Sequence, residues 1–347
     1  MTDTGRRGSG GELGEVVLVQ RTPEAAGPGG GTGPRGPDGA AFAHPALLYR
    51  DEGEYATGVG AFVTAALAAS VPVLVAVPGH RLELLRSGLG TALDGAECAD
   101  MTELGRNPGR ILTRLLDFAG RDPGGTTLIV GEPIWPGRSP AEITEATRHE
   151  ALINLAFAGR RATVLCPYDT AGLPQAVLAD ARRTHPVLIA NGVSTASRWY
   201  TEPVAMTVRC DAPLPEPAGA HAMDYRAGQL ASARDRAGAW AAGLGLSAAR
   251  TEDLVLAVGE AAGNSLTHGG GRGTLRVWVQ GGSVIAEVRD AGRPADPLAG
   301  RARPARESAA GGRGLWIIHQ LCDLVETRTT DAGFTIRMHL TRPPDHS

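Results

Sequence analysis

Three polar side chains recur at steps of four residues near the end of one predicted helix: Glu260, Asn264 and His268. The apolar run "DLVLAV" (253–258) leads into them without a break. Residues four apart lie along one face of an α-helix, so a carboxylate, an amide and an imidazole are predicted to share that face. Apolar residues of the same helix form a separate stripe at helical spacing, which is expected to face the core.

The residue types on this face, and on a strand that follows it, suit the binding of a nucleotide. The amide oxygen of Asn264 is a hard ligand for Mg²⁺. Glu260, one turn away, could act as a base towards a hydroxyl group or a water. In "DAGRP", Asp290 ends a predicted strand and could accept a hydrogen bond from an adenine amino group. Gly292 would let the base approach the backbone closely.

A glycine-rich segment opens the next predicted helix and supplies a site for phosphates. Backbone N–H groups at a helix N-terminus bind anions, and "GGRGLW" offers them. The candidate phosphate-binding residues are Gly311, Gly312, Arg313, Gly314 and Leu315. The loop between Gly292 and Gly311 is predicted to close over the nucleotide as a lid. Its arginines, together with Arg313, are expected near the phosphates: Arg301, Arg303 and Arg306.

The elements that position these residues predict an α+β sandwich. Two helices are followed by two strands, the lid loop, a third helix and two more strands. The strands alternate apolar and polar residues, which predicts an antiparallel sheet with one face buried by the helices. The residues expected on the buried face are Leu275, Val277, Val279, Ile336, Met338 and Leu340.

The first half of the chain shows a different order, in which apolar strands alternate with helices. "PVLVAVP" and "ATVLCPYD" are apolar runs typical of a buried parallel sheet, so a doubly wound α/β domain is predicted. The predicted organisation is a disordered Gly/Pro-rich tail (1–40), an α/β domain (41–195), a Pro/Ala-rich linker (196–221) and the α+β domain (222–343).

Composition excludes several classes of protein. All 34 Lys+Arg residues are arginine, so neither a P-loop nor a eukaryotic-type kinase site can be built, because both need a lysine. The net charge of −3 and the absence of a basic stripe argue against direct binding of nucleic acid. No apolar run is long enough to span a bilayer, and no signal-peptide pattern is present. Four scattered cysteines indicate a reducing cytoplasm and give no zinc signature.

The second half resembles the GHKL (Bergerat-fold) ATP-binding family, which includes histidine kinases and gyrase. "ExxxN" resembles its N box, "DAG" its first Gly box and "GGRGLW" its second. Within that family, "TEDLVLAVGEAAGNSLTHGG" and "GGRGLWIIHQLCDLVE" are similar to the bacterial anti-sigma factor serine/threonine kinases. One departure is Pro294, which stands where the first Gly box often has a second glycine.

This resemblance implies ATP and Mg²⁺ as cofactors, with Glu260 as the catalytic base and Asn264 as the metal ligand. It also implies phosphorylation of serine or threonine in a small anti-anti-sigma (STAS) protein, a sigma factor as the alternative partner, and a homodimer. His268, near the helix end, is interpreted as structural, since a histidine there stabilises the helix.

The first half resembles the MEDS sensory domain, a relative of RecA-like ATPases, on "HPALLYRDEGEYATGVGAFV" and "TVLCPYD". The position of a RecA phosphate loop reads "DEGEYATGVG" and lacks GK[ST], so no ATPase activity is expected here. The resemblance implies that this domain senses a small organic molecule. Candidate ligand-binding residues stand at predicted strand ends, where α/β folds bind ligands: His44, Tyr49, Trp135, Cys166, Tyr168 and Asp169.

Two other functions compete with a serine/threonine kinase. A non-catalytic anti-sigma module would hold its partner and use nucleotide as a structural ligand, and the presence of Glu260 favours the enzyme over this module. A two-component histidine kinase would need a phosphoacceptor, for which His149 in "RHEALIN" is a candidate. No helical dimerisation hairpin precedes the ATP-binding domain in the sequence, which argues against that alternative.

Overall fold

The computed structural model describes residues 42–304 and 312–343. The predicted tail (1–40), Arg306 and Gly311 lie outside the described residues. All described residues belong to one compact unit, which contains two sheets, with two hydrophobic clusters in the N-terminal half and one in the C-terminal half. Among these residues, no helix has both the length and the apolar character needed to cross a bilayer.

The N-terminal half is an α/β domain built on a seven-stranded sheet. Its strands are β1 (Pro45–Tyr49), β2 (Val73–Val77), β3 (Glu97–Asp100), β4 (Thr127–Gly131), β5 (Ala162–Asp169), β6 (Val187–Ala190) and β7 (Val193–Ala196). Their order is β3-β2-β4-β5-β1-β6-β7, and only β7 is antiparallel to its neighbour. Every residue of β2 and β4 is buried, as expected where helices cover both faces of a parallel sheet.

Seven α-helices accompany this sheet among the described residues: α1 (Glu52–Ala68), α2 (Gly79–Leu89), α3 (Met101–Leu104), α4 (Pro108–Ala119), α5 (Pro140–Ala156), α6 (Gln175–Thr184) and α7 (Pro203–Arg209). A 3-10 helix (Gly90–Gly95) follows α2. The start of α5 is fixed by a capping box, in which the Ser139 hydroxyl and the Glu142 carboxylate each accept a hydrogen bond from the other residue's N–H group. This pairing satisfies two of the N–H groups that have no partner within the helix.

The C-terminal half is an α+β sandwich with a five-stranded antiparallel sheet. Its elements are β8 (His221–Arg226), α8 (Leu230–Gly243), α9 (Ala248–His268), β9 (Arg272–Gln280), β10 (Ser283–Asp290), α10 (Arg313–Leu321), β11 (Leu324–Thr330) and β12 (Gly333–Thr341). The strand order is β11-β12-β10-β9-β8. The predicted alternation is correct except at Val279, which is 37% exposed, whereas its neighbour Trp278 is buried.

The segment predicted as a linker (196–221) is not without structure. It contains α7, which packs against α5 through the buried Met206 and Thr207. Asp211, after α7, accepts hydrogen bonds from Arg148 of α5 and from the Thr329 N–H of β11. The connection between the two halves therefore contributes to their packing.

Candidate functional site

The polar face of α9 meets the first turn of α10. A Cβ atom added to Gly314 would lie 2.7 Å from Glu260 Oε2 and 3.3 Å from Asn264 Nδ2. Real Cβ atoms do not approach other atoms at the first of these distances, so only glycine fits here without a shift. The structure thus brings together two of the three predicted motifs. Their roles in nucleotide binding remain predictions.

The N-terminus of α10 has features that suit the binding of an anion. Gly312 precedes the helix with φ of +90°, a left-handed conformation, and no side chain of the described residues caps the helix. The first N–H groups of a helix have no intrahelical acceptor and carry a partial positive charge. A phosphate placed there would supply the missing acceptors. Leu315, in the first turn of the helix, packs closely against Gly300 of the lid loop.

Asp290 lies beside the C-terminus of α9, as the third motif requires. Its Oδ1 accepts a hydrogen bond of 2.7 Å from the Gly292 N–H. An added Cβ on Gly292 would lie 2.7 Å from that oxygen and 3.1 Å from the Cα of Gly269, which follows α9. The tight turn therefore needs glycine at 292, and the carboxylate is held at the end of α9. His268 is exposed.

Two of the lid arginines do not lie where the sequence predicted. Arg301 is buried and makes an ion pair of 2.8 Å with Glu145 of α5. Arg303 pairs with Asp117 of α4 at 3.1 Å. Expecting both near phosphates was wrong, because carboxylates of the N-terminal half pair with them. The described start of the lid is thus attached to the α/β domain.

Glu145 is the centre of a buried ionic cluster between the two halves. Its carboxylate, fully buried, faces the guanidinium groups of Arg148, Arg301 and Arg328. Burial alone would raise the pKa of Glu145, but the three arginines outweigh it and hold that pKa well below 4.5. The sequence offered no signal for this residue, since a glutamate within "AEITEATRHE" resembles a solvated one.

A second set of contacts from the α/β domain reaches the C-terminal end of α10. The Arg110 side chain donates to the His319 and Cys322 carbonyls at 2.8 and 2.7 Å, and Asn107 Nδ2 donates to the His319 carbonyl at 2.9 Å. A Cβ on Gly109 would lie 2.0 Å from His319 Nδ1, so α4 packs directly on α10. The positive charge of Arg110 and these hydrogen-bond donors stabilise the C-terminus of α10, where the helix dipole is negative.

A surface cavity of about 550 Å³ lies near this second contact and not at the nucleotide motifs. Arg106, Arg110, Arg250 and Asp323 line part of it. The cavity contains none of the residues predicted to bind nucleotide, so the nucleotide site rests on the α9–α10 geometry instead.

The sensory candidates separate into two groups, and His44 and Cys166 belong to the first. His44 directly precedes β1 and Cys166 lies on the neighbouring strand β5, with His44 Nε2 3.4 Å from Cys166 Sγ. Glu150 of α5 and His185 after α6 join them, and the ligand-type atoms of these four buried residues lie within 4.8 Å of one another. Sequence reasoning missed Glu150 and His185 as members of this group, because neither stands at a strand end.

The second group surrounds a buried acid at the ends of β1 and β4. The Tyr49 hydroxyl donates to Glu132 Oε1 at 3.0 Å, and the guanidinium of Arg81 lies over the Tyr49 ring and 3.9 Å from Asp169. Burial raises the pKa of Glu132 to about 8, despite the hydrogen bond from Tyr49. Asp169 itself accepts hydrogen bonds from the Ala171 and Gly172 N–H groups.

The two remaining candidates pack in the core. Tyr168 is buried edge-on to the ring of His185, at 5.5 Å between centroids. Trp135 is half-buried beneath the guanidinium of Arg138, 4.2 Å from its ring centroid. His149 is also buried, and burial lowers its pKa to about 4. A phosphoacceptor histidine must be accessible to the phosphate donor, whereas the His149 imidazole is shielded from solvent.

These features define a two-part regulatory protein, with an α/β domain packed on a candidate nucleotide-binding α+β domain. Comparison with known families agrees. Residues 43–186 match the methanogen/methylotroph, DcmR sensory domain (MEDS), and residues 223–340 match the histidine kinase-like ATPase domain. The chain therefore combines a MEDS sensory domain with an ATP-binding domain of the GHKL type. No curated protein matches it.

Proposed function

We propose that this protein is an ATP-dependent serine/threonine kinase of the anti-sigma factor type, regulated through its MEDS domain. The family match suggests a kinase-like domain that binds ATP, usually with Mg²⁺. The observation that carries the proposal is the contact of Glu260 and Asn264 with Gly314 at the start of α10. It places a carboxylate and an amide beside a helix N-terminus suited to phosphate.

The residues fit Mg-ATP, which would supply the phosphoryl group. Asn264 would ligate the metal through its amide oxygen, as hard cations prefer. The N–H groups of Gly312 and the first turn of α10 would hold the phosphates. Asp290 would accept from the adenine amino group, and the orientation that Gly292 gives it supports that role.

Glu260 would accept the proton of the attacking serine or threonine. It lies half-buried on α9, close enough to Gly314 to reach a group bound at the start of α10. A positioned base contributes about 10²–10⁴-fold to such a step. An alternative is a non-catalytic module, which would need nucleotide but no base.

The proposed partners are a STAS protein as substrate and a sigma factor as the sequestered protein, with a homodimer as the assembly. This part rests on the similarity of α9 and α10 to anti-sigma kinases in sequence. A histidine kinase is less consistent, because His149, the candidate phosphoacceptor, is buried.

The MEDS domain would regulate the kinase through α10 and the lid. It contacts the start of the lid through Arg301 and the end of α10 through Arg110. A small organic ligand in the MEDS domain would shift these contacts and so the geometry of the phosphate site. A ligand can shift such an equilibrium only by its difference in affinity for the two states.

The test compares phosphate transfer from labelled ATP to a STAS protein co-purified from the native host. Glu260→Gln should retain ATP affinity and STAS binding but lose about 10²-fold or more in rate. Glu252→Gln, an exposed position on the same helix, is the matched control and should transfer at the wild-type rate. No transfer by the wild type would favour the non-catalytic module. A Glu260→Gln variant as fast as the control would remove Glu260 as the base.

The metal role of Asn264 has a separate readout. Asn264→Ala should lose the increase in ATP affinity that Mg²⁺ gives the wild type, because the amide oxygen is removed. Calorimetric titrations with and without Mg²⁺ measure this directly. An unchanged response to Mg²⁺ would show that another group binds the metal.

A further inference from the structure

The MEDS domain contains a buried group of four side chains whose donor atoms converge. His44 Nε2 and His185 Nε2 lie 3.1 and 3.2 Å from the same oxygen, Glu150 Oε2. Cys166 Sγ lies 3.4 Å from His44 Nε2. His44 and His185 have their rings 4.1 Å apart, and all four residues are buried. Two imidazoles, a carboxylate and a thiol thus share one small volume.

The outer hydrogen bonds fix which nitrogen of each histidine faces this volume. His185 Nδ1 lies 2.8 Å from the Ala181 carbonyl, so Nδ1 carries a proton and Nε2 is the nitrogen that faces this volume. For His44, Nδ1 lies 3.1 Å from Asn154 Oδ1. Asn154 cannot be flipped, because its Nδ2 donates to the Thr184 carbonyl at 2.8 Å. Both histidines therefore turn Nε2 inwards, and in the neutral imidazole this nitrogen presents a lone pair.

These lone pairs face a carboxylate oxygen that is also an acceptor. The Cys166 thiol can donate only one hydrogen bond. It therefore cannot satisfy both of the contacts that Glu150 Oε2 makes with His44 Nε2 and His185 Nε2. Glu150 Oε1 and His185 Nε2 are buried without a hydrogen-bond partner among the described residues. Buried polar atoms normally have partners. A cation at the centre of the group would accept the lone pairs of these nitrogen, oxygen and sulfur atoms and so replace the missing hydrogen-bond donors.

We propose that His44, Glu150, Cys166 and His185 form a binding site for a divalent transition-metal ion of the Zn²⁺ class. In a tetrahedral Zn²⁺ site the ligand atoms lie about 2.0–2.3 Å from the metal, hence about 3.3–3.6 Å from one another. The three contacts given above, 3.1, 3.2 and 3.4 Å, are close to that range, and every other pair lies within 4.8 Å.

Charge and surroundings agree with this class of ion. A thiolate and a carboxylate neutralise a divalent cation, and two neutral imidazoles complete the site, so no net charge is buried. Soft sulfur and imidazole ligands favour Zn²⁺ and similar ions over Mg²⁺ or Ca²⁺. The Asn154 and Ala181 oxygens are the outer acceptors that metal-binding histidines usually have. Binding releases the Cys166 thiol proton to solvent.

The test uses the full chain, freed of metal with a chelator and titrated with Co²⁺ as a spectroscopic substitute for Zn²⁺. One Co²⁺ per chain is expected, with visible bands of a tetrahedral site and a near-ultraviolet thiolate charge-transfer band. Zn²⁺ should displace the Co²⁺ and abolish both. Failure of the wild type to bind either ion at a tenfold excess would overturn the proposal, whatever the kinase assay shows.

Variants identify the ligands. Cys166→Ala should lose the charge-transfer band, whereas Cys322→Ala, a buried cysteine in the other domain, should keep it. His185→Gln should weaken Co²⁺ binding at least tenfold, whereas His149→Gln, beside Glu150 but outside the group, should not. Asn154→Ala should weaken binding about 10–100-fold while keeping the band. A band that survives Cys166→Ala, or is lost equally in Cys322→Ala, would overturn the proposed ligand set. The wild-type titration decides the existence of the site even if a variant does not fold.

Discussion

Replacing Glu145 by glutamine should loosen the contact between the MEDS domain and the lid. The glutamine keeps the shape of the side chain and removes its charge, which leaves Arg148, Arg301 and Arg328 facing one another. Arg148 and Arg328 keep a second acidic partner each, Asp211 at 2.9 Å and Glu326 at 3.3 Å. Within the described part of the chain, Arg301 has no acidic partner at salt-bridge distance other than Glu145. The largest effect is therefore expected at Arg301.

The size of the effect follows from burial. Both partners of the Glu145–Arg301 pair are almost fully buried, and removing one member of a buried pair costs about 3–5 kcal/mol. Exposed pairs contribute about 0–1 kcal/mol. Thermal unfolding at pH 7 should therefore shift down by about 5–15 °C for Glu145→Gln. Glu83→Gln removes a carboxylate from an exposed pair with Arg86 and should shift by no more than about 2 °C.

The pH of the measurement matters because the pKa of Glu145 is held below its ordinary value of 4.5. A carboxyl group with a lowered pKa contributes its full stability above the unfolded value and loses it as the pH falls through the folded value. The difference between wild type and Glu145→Gln should thus be full at pH 7 and shrink below pH 4.5.

A second substitution tests the cause. Arg301→Met in the Glu145→Gln background removes the unpaired charge and should recover part of the loss, since the two sites are in contact. Hydrogen exchange should locate the loosening at the start of the lid and in α5. A Glu145→Gln midpoint equal to that of Glu83→Gln, with unchanged exchange in both segments, would refute the reasoning.

Three further predictions concern the nucleotide site and the acid at the end of β4. Gly314→Ala should weaken Mg-ATP binding in calorimetry, because its Cβ would lie 3.3 Å from Asn264 Nδ2, on the proposed metal ligand, as well as 2.7 Å from Glu260 Oε2. Gly263→Ala on α9, with open space around its Cβ, should bind normally. Asp290→Asn should weaken ATP binding, and unchanged affinity would exclude it from the adenine site. Glu132 has a pKa raised from 4.5 to about 8, so its contribution to stability is full below pH 4.5 and lost as the pH rises towards 8. Melting curves should show Glu132→Gln gaining roughly 2–4 kcal/mol relative to wild type between pH 5 and pH 8, and a constant difference would contradict the assignment.

Elements with strong local signals were predicted well from the sequence. The predicted strand "ATVLCPYD" coincides with β5, and "PVLVAVP" contains β2, because a short apolar run between turn signals determines a buried strand locally. The prediction of a parallel sheet in the first half and an antiparallel sheet in the second half was also correct, because continuous and alternating apolar patterns are local signals. The motif spacing on α9 also predicted that Glu260 and Asn264 share a face.

Elements that depend on distant partners were missed. β7 is fully exposed and shows no alternation, so only its pairing with β6 makes it a strand. The helix α7 lies in a Pro/Ala-rich segment and is stabilised by packing on α5. Tertiary contacts of this kind leave no periodic pattern in a short segment.

The error over Arg301 has the same origin. An arginine in this loop can pair with a bound phosphate or with a carboxylate of the protein. The sequence near Arg301 contains a phosphate-binding motif but gives no indication of the carboxylate. Its partner, Glu145, is 156 residues away in the chain and gives no sign of being buried. His185 likewise follows a helix rather than a strand, so its contact with Glu150 depends on the packing of α5 against α6.

One helix connects the two parts of the molecule. Along α5, Glu145 contacts the lid through Arg301, Glu150 belongs to the His44–Cys166 group, and Asn154 Oδ1 lies at hydrogen-bond distance from His44. Five residues correspond to about 7.5 Å along a helix and about 140° around it, so Glu145 and Glu150 point to different sides of the same rigid element. A change at the His44–Cys166 group that moves α5 must therefore move Glu145 as well. Because the pairing of Arg301 depends on Glu145, such a movement would act on the lid. In the proposed function, the ionic cluster is thus one of the contacts through which the MEDS domain would influence nucleotide binding.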